Sequence, residues 1–413
     1  MQQDRSTPSR TAQATISRKA ITFIFITVLL DLLGAGILVP VIPFLVGQFN
    51  QDALMVGLLA LSFYAAQFLA TPALGSLSDR FGRRPVLIIS VLGTGISHFL
   101  FGFANSLWLL FAARLLDGIT GGNISVAQAY IADASAPQDR TKNFGLIGAA
   151  FGVGFIMGPA LGGWLSQISL QAPAFVAGGL SLITTAFGFF VLPESLPPAR
   201  RVKGTITLKD LNPLGQVGGA LQRLGLRGLL LANFAQNFAF SALQTNFVLF
   251  TFIRFGLGPA QNGSIFAYVG FVSGLMQGLI TGQLARRFYE RKLMAIGLAM
   301  MAFGYAGLAL APEIPMLYLA LTFTAVGSGI TNPTLTSLIS KQVSSQEQGT
   351  VLGATQALAS LALIVGPVWA GITFDKLGPS APYWTGAVWL AIAVLFAGGA
   401  RAARRVPNLN EAR

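Results

Sequence analysis

Apolar residues gather into runs of about twenty along nearly the whole 413-residue chain, and the polar segments between them are mostly short. Each run can cross a hydrocarbon core of ~30 Å as a helix, which satisfies its own backbone where lipid offers no partner. The pattern predicts an all-α membrane protein of twelve transmembrane helices. Six are expected at Ile21–Val46, Leu54–Leu77, Val86–Phe103, Leu107–Ala132, Phe144–Ile168 and Pro173–Leu192. Six more follow at Gly228–Ile253, Ser264–Leu284, Leu293–Ala311, Met316–Ile339, Thr350–Phe374 and Tyr383–Ala400. Between the two sets, Pro193–Leu226 is the longest polar stretch, basic and rich in Pro and Gly. The expected plan is an arm at 1–20, a six-helix bundle at 21–192, a linker at 193–226, a second bundle at 227–400 and a tail at 401–413. The first run is full length and no small-residue cleavage site ends it, so it reads as a retained span and not a signal peptide.

Composition narrows the class. Hydrophobic residues make up 53% and charged residues 10%, against roughly 25% charged in soluble chains, which excludes an ordinary soluble enzyme. The net charge of +13 would suit nucleic acid only if Lys and Arg shared one exposed surface. They instead occupy the N-terminal arm, alternate loops and the tail, and only Arg114, Arg254 and Lys376 lie elsewhere. By the positive-inside rule both termini are expected in the cytoplasm, with the protein in the plasma (inner) membrane and anionic lipid as a secondary attraction. No nucleic-acid partner is expected. The chain has no Cys and one His, so disulfides and thiolate or multi-histidine metal sites are excluded.

A weak internal repeat spans half the chain. Gly75, Leu77, Arg80 and Phe81 recur as Gly282, Leu284, Arg287 and Phe288, and Gly121, Asp139, Gly145, Gly158, Pro159 and Gly163 as Gly329, Glu347, Gly353, Gly366, Pro367 and Gly371. Two parallel six-helix halves describe the rocking transporters, whose site lies between halves near the midplane.

Three segments carry chemistry. The loop after span 2 reads Gly75-Ser-Leu-Ser-Asp79-Arg80-Phe-Gly82-Arg83-Arg84-Pro85. Asp79 is placed to face the positive N-terminal end of span 11, and Asp133, ending span 4, is available to Arg80 or Arg84; such contacts, formed as the cytoplasmic ends close, would stabilise the outward-open state. Span 5 holds Gly145, Gly154, Gly158, Pro159, Gly162 and Gly163, small residues that permit close helix approach around a proline bend. Span 1 holds Asp31 among Gly34, Gly36, Pro40 and Pro43.

On these residues the chain resembles the major facilitator superfamily over nearly its whole length, and within it the twelve-span drug:proton antiporters of the tetracycline-exporter branch. The resemblance implies two pseudo-symmetric six-helix bundles, a conformational gate at Gly75, Asp79, Arg80, Gly82, Arg83, Arg84 and Asp133, and an antiporter motif on span 5. Tetracycline exporters carry an acid on span 3 and another on span 9; here span 3 reads Ile96-Ser97-His98 and span 9 has no acid.

An acid at a helix centre costs roughly 3 kcal/mol on insertion scales and is functional by default. Asp31 lies roughly 15 Å from the cytoplasmic end of its span and Arg114 roughly 10 Å from the outer end of span 4, depths that fit across a ~30 Å core. Arg114 and Asp117, three apart, share a face that continues as a polar stripe through Gly121, Ser125 and Gln128. Asp31, Arg114 and Asp117 are therefore the proton-coupling candidates, with a static tie between spans 1 and 4 as the plainer reading. Embedded polar groups of the second half are neutral: Gln236, Asn237, Gln244, Asn246, Asn332 and Gln356. With Gln128, all of these except Asn246 are candidate substrate contacts, or else glue between helices. His98 reads first as a packing or hydrogen-bonding residue.

No phosphate loop, metal cluster or Ser/His/Asp set appears, so no enzyme and no cofactor are expected; transport would draw on an ion gradient or run downhill, and a proton gradient is the expected energy source. The leading expectation is a monomeric exporter of small lipophilic or cationic compounds. Uptake of a sugar or other metabolite by the same fold is the alternative, and a non-transporting receptor or scaffold the remote one.

Overall fold

The structure, a computed structural model, describes residues 10–135, 140–202, 215–343 and 348–399. The start of the expected arm, the middle of the linker, the tail, Asp139 and Glu347 lie outside the described residues. Every regular element among the described residues is helical. In the first half these are α1 (Arg10–Leu38), α2 (Ile42–Gly47), α3 (Ala53–Phe81), α4 (Arg83–Gly102), α5 (Leu107–Thr120), α6 (Asn123–Ala134), α7 (Arg140–Leu165) and α8 (Ala172–Val191). After a 3₁₀ turn at Pro198–Arg200 come α9 (Gly215–Gln222), α10 (Leu224–Thr245), α11 (Phe247–Phe255), α12 (Pro259–Leu275), α13 (Thr281–Arg287), α14 (Glu290–Leu310), α15 (Ile314–Ser340), α16 (Gln348–Leu377) and α17 (Ala381–Gly399).

Three expected spans are broken. Span 1 divides at residues 39–41, where Pro40 has no N–H to continue the ladder. Span 4 divides at Gly121-Gly122 into α5 and α6, and the freed Gly121 carbonyl accepts a 2.8 Å hydrogen bond from Gln67 Nε2 on α3. Irregular backbone survives at membrane depth when protein partners replace the lost bonds. Span 7 divides at Asn246, between α10 and α11. Span 8 continues from α12 to α13 through a π turn at Met276–Ile280. Among the described residues nine helices are long and apolar enough to cross a membrane, ten when the broken span 7 is counted. Span 4, split and charged, and span 12, whose apolar part Ala381–Phe396 is short, account for the difference from twelve.

The chain forms two compact units, one from Met1–Asn212 and Thr245–Gly270, the other from Pro213–Gln244 and Phe271–Arg413. Residues 245–270, which the hydropathy pattern assigns to the second half, join the first unit because α12 lies against α7. A β-carbon on Gly263 would collide with the Pro159 carbonyl, and one on Gly163 would lie 2.8 Å from the Pro259 carbonyl. Phe252 of α11 also meets Phe44 of α2 edge-on, with centroids 5.1 Å apart.

In the first unit, apolar packing divides by depth. One cluster joins Phe23, Val28, Leu87, Val126 and Ile131 towards one end of the helices, and another joins Leu38, Leu45, Val56, Phe101 and Leu110 towards the opposite end. The embedded polar residues lie between these clusters along their helices. In the second unit, α14 packs closely on α15 and α17, and Tyr305 donates a 3.0 Å hydrogen bond to the Ala239 carbonyl of α10.

Candidate functional site

At the centre of the first unit, Arg114 and Asp117 of α5 form an ion pair, Nη1 to Oδ2, at 3.1 Å. Both are buried, at 7% and 6% exposure. The guanidinium lies over the rings of Phe101 (4.8 Å to the centroid) and Phe63 (5.6 Å), so aromatic faces supply part of the solvation that water would otherwise give. His98 of α4 enters from the other side, its Nε2 3.9 Å from the same Asp117 Oδ2. Leu38, Ser97 and Ala113 complete the wall of a narrow crevice around these groups.

The expected triad is corrected in one respect. Among the described residues Asp31 makes no ion pair with Arg114; its carboxylate lies near the Asn123 side chain at the start of α6 and near Asp117. The break at Gly121-Gly122 explains this. Arg114 stands before it and is taken up by Asp117 one turn further on and by two rings, whereas Asp31 meets the helix that begins after it. Along the expected stripe Arg114 and Asp117 are buried, Ser125 is half-buried and Gln128 is exposed. Asn123 was not singled out in the sequence, and His98 was read there for packing or hydrogen bonding and not as a neighbour of Asp117. A lone His in an apolar helix was the available signal for the second; nothing marked the first.

The loop between α3 and α4 is a built charge cluster. Arg83, not Arg80 or Arg84, is the partner of Asp133: its Nε lies 3.1 Å from Oδ2, its Nη2 2.6 Å from Asp79 Oδ1 and its Nη1 2.6 Å from Ser78 Oγ. Arg83 begins α4 and points inward, at 8% exposure, whereas Arg84 donates to the Phe189 carbonyl. All of these contacts lie within one unit, so their formation does not require the two bundles to approach, contrary to the expectation for Asp133. Glu194, just past span 6 and unremarked in the sequence, accepts hydrogen bonds from the Arg83 and Arg84 backbone N–H groups at 2.9 and 3.3 Å. It thereby caps α4. Gly82 at the cap has φ +105°, and a β-carbon there would collide with the Glu194 carboxylate. Val202 N–H then donates to the Asp79 carbonyl at 3.1 Å.

The glycines of α7 form a seam against α1. β-Carbons on Gly154 and Gly158 would lie 2.8 Å from Leu32 Cβ and Gly36 Cα, and one on Gly162 would overlap the Ile37 carbonyl. Gly145 lies on the same helix, and Pro159 stands inside it. In the second unit Gln236 Nε2 donates to Asn332 Oδ1 at 2.6 Å, and Asn237 bonds back to the Asn233 carbonyl. Gln244 lies half-buried and Gln356 is exposed. No three acidic or histidine side chains converge as a metal site among the described residues.

The Major Facilitator Superfamily matches residues 24–367 and, in an overlapping second match, 229–412. Over 383 residues the chain is 36% identical to tetracycline resistance protein, class C, of Escherichia coli, covering 92% of this chain and 95% of that one. The chain belongs to the Major Facilitator Superfamily. A second relative in this superfamily is multidrug resistance protein 2 of Bacillus subtilis (strain 168), 28% identical over 83% of this chain and 86% of its own. Among solved structures, the human organic anion transporter MFSD10 (TETRAN) superposes with a TM-score of 0.70 at 26% identity, covering 92% of this chain and 99% of that one. The all-helical fold expected from hydropathy is thus that of the superfamily.

Proposed function

We propose that this Major Facilitator protein is a secondary active exporter that couples proton entry to the efflux of small lipophilic or cationic compounds by alternating access. The observation that carries the reading is the Arg114–Asp117 ion pair buried within the membrane spans, with a second acid, Asp31, close enough to feel its charge. A carboxylate at that depth is held charged by a cation and neutral by loss of water. Two embedded acids, one of them paired with a permanent cation, can load a proton from one side and release it to the other. The tetracycline and multidrug resistance relatives supply the cargo class, and the α1–α7 glycine seam matches the antiporter-type motif.

In this reading Asp31 and Asp117 carry protons and Arg114 is the counter-charge of Asp117. Gly75, Asp79, Arg80, Gly82, Arg83, Arg84 and Asp133 form the cytoplasmic gate region. Gln128, Gln236, Asn237, Gln244, Asn332 and Gln356 offer neutral hydrogen bonds to cargo. The energy source is the proton gradient, without a cofactor, and the protein works as a monomer in the inner membrane with both termini cytoplasmic. Everted vesicles provide the test. An imposed proton gradient is expected to drive accumulation of a fluorescent lipophilic cation or a tetracycline, a protonophore is expected to abolish it, and Asp31→Asn and Asp117→Asn are each expected to impair it. Protonophore-insensitive transport, or full activity in both variants, would overturn the reading.

A further inference from the structure

The proton-coupling reading leaves unused an embedded side chain of the type that titrates near neutral pH. His98 is the only histidine of the chain and is 2% exposed. Its Nε2 lies 3.9 Å from Asp117 Oδ2, the oxygen that Arg114 Nη1 holds at 3.1 Å. Neither ring nitrogen of His98 has a hydrogen-bond partner of good geometry, and Arg114 Nη2 has none either. A histidine buried only for structure ordinarily locks one ring nitrogen onto a carbonyl or hydroxyl. This ring sits beside the backbone of Ala177, with Gly34 leaving space at its Cε1.

The charged and titratable neighbours on every packed helix can be named. Arg114 and Asp117 come from α5, Asp31 from α1 and Tyr64 from α3, where its charge interaction reaches Arg114. Helix α8 contains no titratable residue. On α6, Tyr130 bonds to the Pro193 carbonyl and Asp133 to Arg83, both near the cytoplasmic end. Asp117 is therefore the acid positioned to accept from a protonated imidazole.

We infer that His98 is a proton-carrying residue of the transport cycle, taking a proton on Nε2 and holding it against Asp117. The step balances without a co-reactant: the Nε2 lone pair forms an N–H bond with a proton delivered by water and gives it back when that bond breaks. Closing 3.9 Å to a hydrogen bond requires a shift of about 1 Å. The Asp117 carboxylate then alternates between one cation, Arg114, and two, Arg114 and the imidazolium. Protonation is thereby linked to the contact of α4 with α5, the pair also joined by Thr94 and Thr120 at 3.1 Å. This inference rests on the proton-coupled reading of the same site, and its test is separable from that reading.

Because the chain has a single histidine, ¹⁵N-histidine labelling of the full-length protein, purified without a polyhistidine tag into nanodiscs, gives one assignable pair of ring signals. Between about pH 5 and pH 9 the pair is expected to move from the imidazolium to the neutral pattern, with the midpoint displaced or the transition lost in Asp117→Asn. A ring that stays neutral throughout, or a midpoint that Asp117→Asn leaves in place, overturns the inference. In everted vesicles His98→Gln, with His98→Asn as the second variant, is expected to lower proton-driven export by about tenfold or more while downhill counterflow of the same compound persists. Wild-type export with an unchanged pH profile in either variant overturns it as well. If the wild-type protein moves no cargo under a proton gradient, the export reading fails, and the labelled ring still reports protonation without any substrate.

Discussion

An ion pair in hydrocarbon is held together less by its own attraction than by the cost of separating its members. Removing both charges from water costs several kcal/mol per ion, and good geometry returns most of it, so deleting one partner leaves an uncompensated charge. For Arg114 and Asp117 the consequence can be measured by thermal unfolding of the purified protein. Asp117→Asn is expected to lose about 3–5 kcal/mol, and the double variant Arg114→Met with Asp117→Leu is expected to recover most of that loss while remaining inactive. A double variant as unstable as the single one would show that the pair stabilises by some other route. This pair was legible in the sequence because residues three apart on one helix share a face. The nearness of Asn123 to Asp31 and the approach of His98 to Asp117 were not, since each joins residues on different helices, and the first also depends on where the chain breaks at Gly121-Gly122. Periodicity carries phase only along an unbroken helix, and the stripe expected from Arg114 to Gln128 passes from buried Asp117 through half-buried Ser125 to exposed Gln128.

At the scale of elements, glycine decides how closely helices approach. On α7, Gly158 faces the backbone of α1, with a β-carbon placed 2.8 Å from Gly36 Cα, whereas Gly152 on the same helix faces open space. Gly158→Leu must push α1 away and is expected to lower both protein level and transport, while Gly152→Leu is expected to leave both near wild type, by membrane immunoblot and vesicle uptake. Equal effects at the two positions would point to propensity and not to the seam. The start of α4 offers a second case. Its first N–H groups find their acceptor in Glu194, more than a hundred residues later in the chain, an arrangement that no local capping pattern announces. Glu194→Gln keeps an acceptor but loses the charge that complements the helix N-terminus, and Glu194→Ala loses both. The expected order of thermal stability is wild type, then Gln, then Ala, with the full deletion costing about 1 kcal/mol; an alanine variant as stable as wild type would exclude the cap. The α7 seam was readable from composition because small residues repeat there, whereas the Glu194 cap depends on a fold that returns span 6 beside span 3.

For the molecule as a whole, the distribution of basic residues makes a claim about orientation that the helix order allows to be checked loop by loop. Arg80, Arg83, Arg84, Arg200, Arg201, Arg286, Arg287, Arg291, Lys292 and Lys341 all fall at helix ends that an alternating path places on one side. On the other side, the loops holding Asn105 and Ser169 carry no Lys or Arg, and among the described residues Arg254 and Lys376 are the basic residues at helix ends there. Lys and Arg near span ends set orientation because they are retained on the cytoplasmic face during insertion. The chain contains no cysteine, so single substitutions report without any background removal. Asn105→Cys and Ser169→Cys occupy exposed positions between helices on the expected outer side, and Tyr289→Cys occupies the α13–α14 turn, where the native side chain is 87% exposed. In intact cells an impermeant maleimide is expected to label the first two and spare the third, and in everted vesicles the pattern is expected to reverse. Labelling of Tyr289→Cys from outside would invert the orientation, and with it the direction in which Asp31, Asp117 and His98 would have to move protons for cargo to leave the cell.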